Sequence, residues 1–397
     1  MPAINVPQPE FMEDEEISIF ADAVGKFYQQ HAPEKRVLKW REDGQVEREF
    51  WNEAGEAGLL GVSVPEEYGG HGGDFRHDLV VIDQQAKHGV EGFAASLHNT
   101  VILPYLVRHG TEEQKKKYLP KLVTGELVSA IAMTEPGVGS DLQSITTTAL
   151  KDGNGYRING AKTYISNGQT ADFIIVVAKT DPNERAKGIS LMLLETEGAE
   201  GFQRGKKLDK VGMDAADTSE LFFDDVFVPA ENVLGGEEGK GFYQLMGELP
   251  QERLIIAMGA MTGIEKALEV TMDFVKNRKA FGQTIWDFQN TQFVLADLNA
   301  RGTAARVFVN DCIAKHLKGE LDVPTACMAK YMVTELQGEV VDKCLQFHGG
   351  AGFINDYPIA RMFRDSRITR IFGGSNEVMK MVIALSLIHI SEPTRQI

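Results

Sequence analysis

Hydrophobic periodicity changes twice along this chain, and that pattern limits the folds open to it. In residues 10 to 128, Ile17, Phe20, Ala21, Val24, Phe27 and Tyr28 recur at helical spacing. Thr111 and Gln114 make a capping box that opens a Lys-rich helix at 112–123, and glycines at 69, 70, 72 and 73 mark a loop. In residues 129 to 236 the apolar runs shorten. Tyr156 and Ile158 alternate with polar neighbours after the turn Asp152-Gly153-Asn154-Gly155. Phe173 to Val177 and Ile189 to Leu194 have strand length, and Leu221, Phe223, Val226 and Val228 form a further strand that ends at Pro229. Residues 237 to 384 return to helical spacing, with long segments at 241–278, 289–317 and 324–347 and a shorter one from Asn376. The expected fold is α+β: an N-terminal helical domain, a middle antiparallel β-barrel or sandwich, and a C-terminal antiparallel bundle of four helices.

Composition excludes several classes. Apolar residues are 43% and charged residues 25%, ordinary for a globular chain of 397 residues. The net charge of −16 disfavours nucleic acid and anionic membranes as main partners. No apolar run approaches the ~20 residues that span a bilayer. Cys312, Cys327 and Cys344 have no metal spacing and are odd in number, which points to a reducing compartment and no metal site. Glu10, Glu13, Asp14, Glu15 and Glu16 fit neither a signal nor a transit peptide, so the expected location is the cytoplasm. Residues Leu385 to Arg395 back-translate codon for codon into a transposase adapter, so 385–397 is expected to be a non-native tail.

Six motifs hold the residue types that chemistry needs. Thr134-Glu135-Pro136-Gly137-Val138-Gly139-Ser140-Asp141 would let backbone N–H groups approach phosphate or a flavin edge. Lys162-Thr163-Tyr164-Ile165-Ser166-Asn167-Gly168 sets an aromatic and a hydroxyl on one strand face, suited to a stacked planar cofactor. Glu248-Leu249-Pro250-Gln251-Glu252-Arg253 sets carboxylates beside a cation. Arg278-Lys279-Ala280-Phe281-Gly282-Gln283, with Phe288-Gln289 after it, could clamp a dinucleotide. Gln346-Phe347-His348-Gly349-Gly350 and Arg370-Ile371-Phe372-Gly373-Gly374-Ser375-Asn376-Glu377 place glycine pairs at helix ends. Singly, each also has a plain reading as turn, core tyrosine, charge pair, dipole match or C-cap. His348 reads as structural.

In order and spacing, the motifs at 131–141, 162–168, 278–283 and 346–350, with Pro65-Glu66-Glu67-Tyr68-Gly69-Gly70 in support, resemble the acyl-CoA dehydrogenase family over residues 10 to 384. Val138 stands where that family usually has a smaller residue, and Tyr164 where many members have Trp. The resemblance implies domains at 10–128, 129–236 and 237–384, and FAD with its ring between the middle and C-terminal domains. It implies that Ile131, Met133, Thr134, Gly139, Ser140, Tyr164, Ile165 and Ser166 line the flavin. Arg278, Phe281, Gln289, Gln346, Gly349, Gly350, Ser375 and Glu377 would hold the rest of FAD, partly across a subunit interface. A homo-oligomer, usually a dimer of dimers, follows, as do an acyl-CoA substrate and electron-transfer flavoprotein as acceptor.

Many family members carry the catalytic Glu where this chain has Gly373. The isovaleryl and long-chain members place it on a helix immediately before an Arg, and Glu252-Arg253 matches that position. Ala326-Cys327-Met328-Ala329-Lys330-Tyr331 looks most like the long-chain branch. Glu252 is therefore the expected base, with Glu248 its near rival one helical turn earlier. Ser140, Arg253, Gly373 and Gly374 are the expected substrate contacts, the Gly373 N–H serving the thioester oxygen. Two competing readings are an acyl-CoA oxidase or flavin monooxygenase of the same superfamily, and a silent flavin- or acyl-CoA-binding scaffold motivated by Gly373.

Overall fold

Helical spacing near the N-terminus gives six helices in a computed structural model that describes residues 3–388. They are α1 (Glu15–His31), α2 (Glu34–Asp43), α3 (Arg48–Glu56), α4 (Phe75–Lys87), α5 (Leu103–His109) and α6 (Glu112–Val123). The expected capping box opens α6: Thr111 Oγ1 accepts from the Gln114 N–H at 3.3 Å, and Gln114 Oε1 accepts from the Thr111 N–H at 3.0 Å. A π-helical turn at Leu97–Ile102 precedes α5 and buries His98. Its Nε2 donates to the Leu122 carbonyl at 2.9 Å and its Nδ1 accepts from Ser129 Oγ at 2.7 Å. Burial holds that imidazole down at about 4, so it stays neutral.

Seven strands follow: β1 (Ser129–Ala132), β2 (Thr148–Asp152), β3 (Gly155–Ser166), β4 (Phe173–Lys179), β5 (Ile189–Glu195), β6 (Phe202–Lys207) and β7 (Thr218–Pro229). They form one sheet in the order β1-β4-β2-β3-β7-β6, with β5 on the other edge of β4. The sheet is mixed, which corrects the expected antiparallel barrel. β1 runs parallel to β4 from Ser129↔Phe173 to Ala132↔Val176, and β2 joins the same edge parallel at Thr148↔Lys179. Among the described residues no pairing closes the sheet on itself. The sequence Ser-Ala-Ile-Ala of β1 is short and does not alternate, so it carries no strand signal of its own.

β4 and β5 are buried on both faces, which explains their unbroken apolar runs. Phe173, Ile175, Val177, Leu191 and Leu193 pack in one core with Leu103, Leu106, Tyr118, Leu119 and Leu122 of α5 and α6. Ile174, Val176, Met192 and Leu194 face a second core with Tyr156, Ile158, Val226 and Val228 of β3 and β7.

The C-terminal part comprises α7 (Gly241–Asn277), a hairpin of β8 (Lys279–Ala280) and β9 (Gln283–Thr284), α8 (Gln289–Leu317), α9 (Val323–His348), α10 (Pro358–Ser366) and α11 (Asn376–Leu387). The expected long segments become α7, α8, α9 and α11; α10 is additional and starts with Pro358 at its first turn. α8, α10 and α11 all pack on α9. Close approaches fix this packing. A Cβ on Gly338 of α9 would stand 1.7 Å from Arg370 Nη2, so only glycine lets that guanidinium lie against the helix. The helix α11 continues through Leu385–Leu387, the first residues of the expected tail; 389–397 lie outside the described residues.

Backbone contacts divide the chain into two compact units. One, the sheet unit, is Phe20–Lys210 with Asp214–Leu249. The other, the helical unit, is the N-terminal stretch through Ile19, Val211–Met213 and the chain from Pro250 onward. Among the described residues no helix is long and apolar enough to cross a membrane, and no cluster of His, Cys, Asp and Glu could hold a metal ion.

Candidate active site

In the helical unit, Pro250, Gln251, Glu252 and Arg253 lie inside α7, and the last three are buried. Ile256 stands four residues after Glu252 and so shares its helix face. Gly373 packs against that face: φ is +61°, and a Cβ there would meet Ile256 Cδ1 at 2.2 Å. Gly373, one position considered for a catalytic carboxylate, therefore packs on Ile256 of α7, one helical turn beyond Glu252. Arg253 donates through Nη1 to Cys327 Sγ at 3.2 Å. Cys327 is thus more than the apolar filler its helical context suggests, whereas Cys312 and Cys344 are buried thiols that burial pushes up to about 11.

Glu248 goes elsewhere. It belongs to the sheet unit, where its carboxylate accepts from Arg108 and, at 3.0 Å, from His109 Nε2 at the end of α5. A buried carboxylate held by two donors of cationic type has a structural task, and its rivalry with Glu252 weakens accordingly.

Still in the helical unit, Arg278, Phe281 and Gln289 are exposed, as are Gln346, Gly349, Gly350 and Glu377. Phe281 is 95% exposed at φ +54°, followed by Gly282 at +81°. Positive φ at both central residues is the tight turn that a two-residue hairpin requires, and it holds the phenyl ring out from β8–β9. Ser375 caps α11, accepting from the Val378 N–H at 3.4 Å. His348 is structural, as expected: its Nδ1 donates to the Cys344 carbonyl at 2.9 Å and its ring stacks on Phe274 at 4.2 Å.

In the sheet unit the first two motifs come together. The Thr163 N–H donates to the Thr134 carbonyl at 2.9 Å, and Lys162 Nζ donates to the Met133 carbonyl and to Glu135 Oε1, both at 2.9 Å. Glu135 also accepts from the Thr146 N–H and hydroxyl at 2.7 Å and from the Thr147 N–H at 2.9 Å. Burial works to raise this carboxyl, but the Lys162 charge and the threonine donors outweigh it and hold the group at about 2. This buried pair braces the loop from its inner side. Ile131, Met133 and Thr134 are half-buried, while Gly139 and Ser140 are exposed. A Cβ on Gly137 or Gly139 would meet nothing within 4 Å. Tyr164 is 69% exposed at φ +60°, in a bulge of β3 between Lys162 and Ile165; Ile165 is buried and Ser166 exposed. A non-glycine residue held at positive φ with its aromatic ring outside is strain with no packing return, as expected of a functional position. An open glycine loop beside an exposed ring and hydroxyl fits a planar cofactor with an anionic tail, and so fits FAD.

The sequence reading missed the Glu135–Lys162 pair and the buried Lys330, whose Nζ donates to the Gly374 carbonyl and Asn376 Oδ1, both at 2.8 Å. A lysine set among Ala, Cys and Met on a helix was the available signal.

Family models for the acyl-CoA dehydrogenase N-terminal, middle and C-terminal domains match residues 14–126, 130–226 and 239–388. The chain is 46% identical over 376 residues to the mitochondrial long-chain specific acyl-CoA dehydrogenase of Sus scrofa, covering 94% of this chain and 87% of that one. It is 39% identical over 364 residues to the mitochondrial isovaleryl-CoA dehydrogenase of Pongo abelii, covering 91% and 86%. Among solved structures, an acyl-CoA dehydrogenase from Geobacillus kaustophilus superposes with a TM-score of 0.92 at 46% identity, covering 94% of this chain and 98% of that one. The glycine loop, the raised aromatics and the buried Glu-Arg step of α7 therefore stand in a framework matched along nearly its whole length, and the chain belongs to the acyl-CoA dehydrogenase family.

Proposed function

We propose that this enzyme removes the α-proton and β-hydride of an acyl-CoA thioester to give the trans-2-enoyl-CoA, with Glu252 as base. The observation that supports the assignment is that Glu252 is buried inside α7 and that Gly373 packs on Ile256, one turn further along the same helix. FAD, when bound, supplies the hydride acceptor. The Glu252 carboxylate takes the α-proton; the electrons of that C–H bond form the Cα=Cβ bond as the β-hydride leaves. Negative charge grows on the thioester oxygen meanwhile, and the Gly373 N–H is the donor we assign to it. Loss of the side chain at Gly373 leaves that N–H in place. Arg253 and Ser140 are assigned to the CoA moiety, with Gly374 shaping the turn beside the thioester.

For FAD, we assign the ring to Ile131, Met133, Thr134, Gly139, Ser140, Tyr164, Ile165 and Ser166. The dinucleotide part goes to Arg278, Phe281, Gln289, Gln346, Gly349, Gly350, Ser375 and Glu377. Exposed Phe281, Phe293, Val307, Met332 and Phe353 on the helical unit support a homo-oligomer, which we assign as a dimer of dimers. The three-domain division at 10–128, 129–236 and 237–384 is supported by the spans of the family models. Electron-transfer flavoprotein is the acceptor in this reading. The absence of any disulfide among Cys312, Cys327 and Cys344 suits a reducing compartment such as the cytoplasm. The closer identity to the long-chain relative favours a long straight acyl chain.

Anaerobic titration of the FAD-loaded protein with acyl-CoAs of graded length and branching tests the assignment. Long straight chains are expected to bleach the flavin fastest. Fastest bleaching by a branched short chain moves the substrate to the isovaleryl type, and no bleaching by any thioester returns the chain to the silent-scaffold reading. Rapid reoxidation by air would favour an oxidase.

A further inference from the structure

Lys330 is fully buried, yet the reaction as described gives it nothing to do. Its ammonium donates to the Gly374 carbonyl at 2.8 Å and to Asn376 Oδ1 at 2.8 Å. Asn376 is 1% exposed and continues the chain of bonds: its Nδ2 donates to Thr334 Oγ1 at 3.0 Å and to Glu335 Oε1 at 2.8 Å. Thr334 donates back to the Lys330 carbonyl at 2.8 Å. The ring ties α9 to the first residue of α11 and to the turn just before it.

That turn cannot hold itself. Gly373 and Gly374 sit at φ +61° and +89°, and two consecutive glycines have the widest conformational freedom a chain can have. The N–H of Gly373 keeps one direction only if something outside the turn fixes it. Stability alone is a poor reason for a lysine here, because a buried cation is costly and an apolar residue of similar size would pack at least as well. Burial, with the Arg253 cation adding to it, lowers the ammonium to about 8, and Glu335, Glu377 and Cys327 act the other way. The group nevertheless stays charged at neutral pH.

We propose that Lys330 is a positioning residue: through the Gly374 carbonyl and Asn376 it fixes the Gly373–Gly374 turn, so that the Gly373 N–H is held toward the thioester oxygen. The proposal rests on the reading of Glu252 and Gly373 given above.

The test uses the FAD-loaded enzyme and a conjugated aryl-enoyl-CoA, whose absorption moves to the red when its carbonyl oxygen accepts hydrogen bonds. The native protein and Glu252→Gln should both show the red shift, since Glu252→Gln removes the base and leaves the donor. Lys330→Met should keep its FAD and bind the thioester within a few-fold, but lose most of the shift. Its flavin reduction should slow by roughly 10²-fold, the size expected for a misplaced oxyanion donor. Lys330→Gln, which keeps a neutral donor, should recover part of both. A full red shift and native rate in Lys330→Met overturn the proposal. No shift in the native protein overturns the Gly373 reading itself and the proposal with it. If Lys330→Met does not fold, Asn376→Leu decides instead: a reduced shift with FAD retained supports the clamp, and an unchanged shift and rate reject it.

Discussion

Gly373 lies so close to Ile256 that a Cβ on the glycine would stand 2.2 Å from the isoleucine's Cδ1. Ile256 is one turn beyond Glu252, so a carboxylate returned to position 373 must pass this side chain and also adopt φ +61°. The backbone strain costs about 1 kcal/mol or more. In a Glu252→Gly background, Gly373→Glu alone should therefore restore little flavin reduction. Adding Ile256→Val, which deletes that Cδ1, should restore clearly more. Single-turnover bleaching measures both, and equal rates would separate Gly373 from the Glu252 stripe.

The base assignment itself is tested by two amides. Glu252→Gln should keep FAD and acyl-CoA binding while flavin reduction falls roughly 10²–10⁴-fold, the usual cost of losing a general base. Glu248→Gln should leave reduction near native. It gives up charge-assisted bonds from Arg108 and His109, so it should lower stability by about 1–3 kcal/mol. The reverse pattern would move the base one turn back.

Much of this was legible in the chain. Period and punctuation placed the α6 box, β4, β5 and the long helices, because each carries its own signal: a Thr-x-x-Gln cap, a two-sided apolar run, a 3.6-residue stripe. β1 escaped, since a parallel strand of small residues is specified by its neighbour β4 rather than by its own letters. Pairings between distant charges escaped for the same reason. Glu248 looked like a rival to Glu252 until α5 supplied Arg108 and His109, some 140 residues away in sequence. The rings of Tyr164 and Phe281 are exposed, where the letters alone also allowed a core tyrosine, and nothing in the letters announces positive φ outside glycine.

Cofactor retention should depend on Arg278. The exposed hairpin carries Arg278 beside Phe281, and the guanidinium is assigned to the anionic part of FAD. Arg278→Ala should fold with an unchanged far-ultraviolet spectrum and lose FAD on gel filtration at dilutions where the native protein retains it. Equal retention would remove the hairpin from the cofactor site.

The thiols separate into two groups. Cys312 and Cys344 are buried small hydrophobes, and replacing both with Ala should leave turnover within about two-fold. Cys327 contacts Arg253 Nη1, so Cys327→Ala should raise the acyl-CoA KM several-fold while kcat changes less. An unchanged KM would show that Arg253 needs no help from the sulfur.

Asp78 sets a pH dependence outside the catalytic residues. It lies on α4, 2% exposed, and its Oδ1 has no hydrogen-bond partner. Burial, with the Asp74 charge adding to it, pushes the carboxyl from 3.8 to about 7 against a hydrogen bond from Ser63. The folded protein thus holds a proton that the unfolded chain releases, so between pH 3.8 and about 7 the folded state binds more protons and stability falls as pH rises. Above that window the loss is complete and flat. Asp78→Asn keeps the shape of the neutral acid and cannot ionise. It should match the native protein near pH 4 and exceed it at pH 8 by on the order of 4 kcal/mol, with the difference opening steadily between. Thermal melts of both FAD-loaded proteins at pH 4, 5, 6, 7 and 8 measure it. A gap that stays constant with pH would mean that Asp78 is already ionised in the folded state and would overturn this account of its burial.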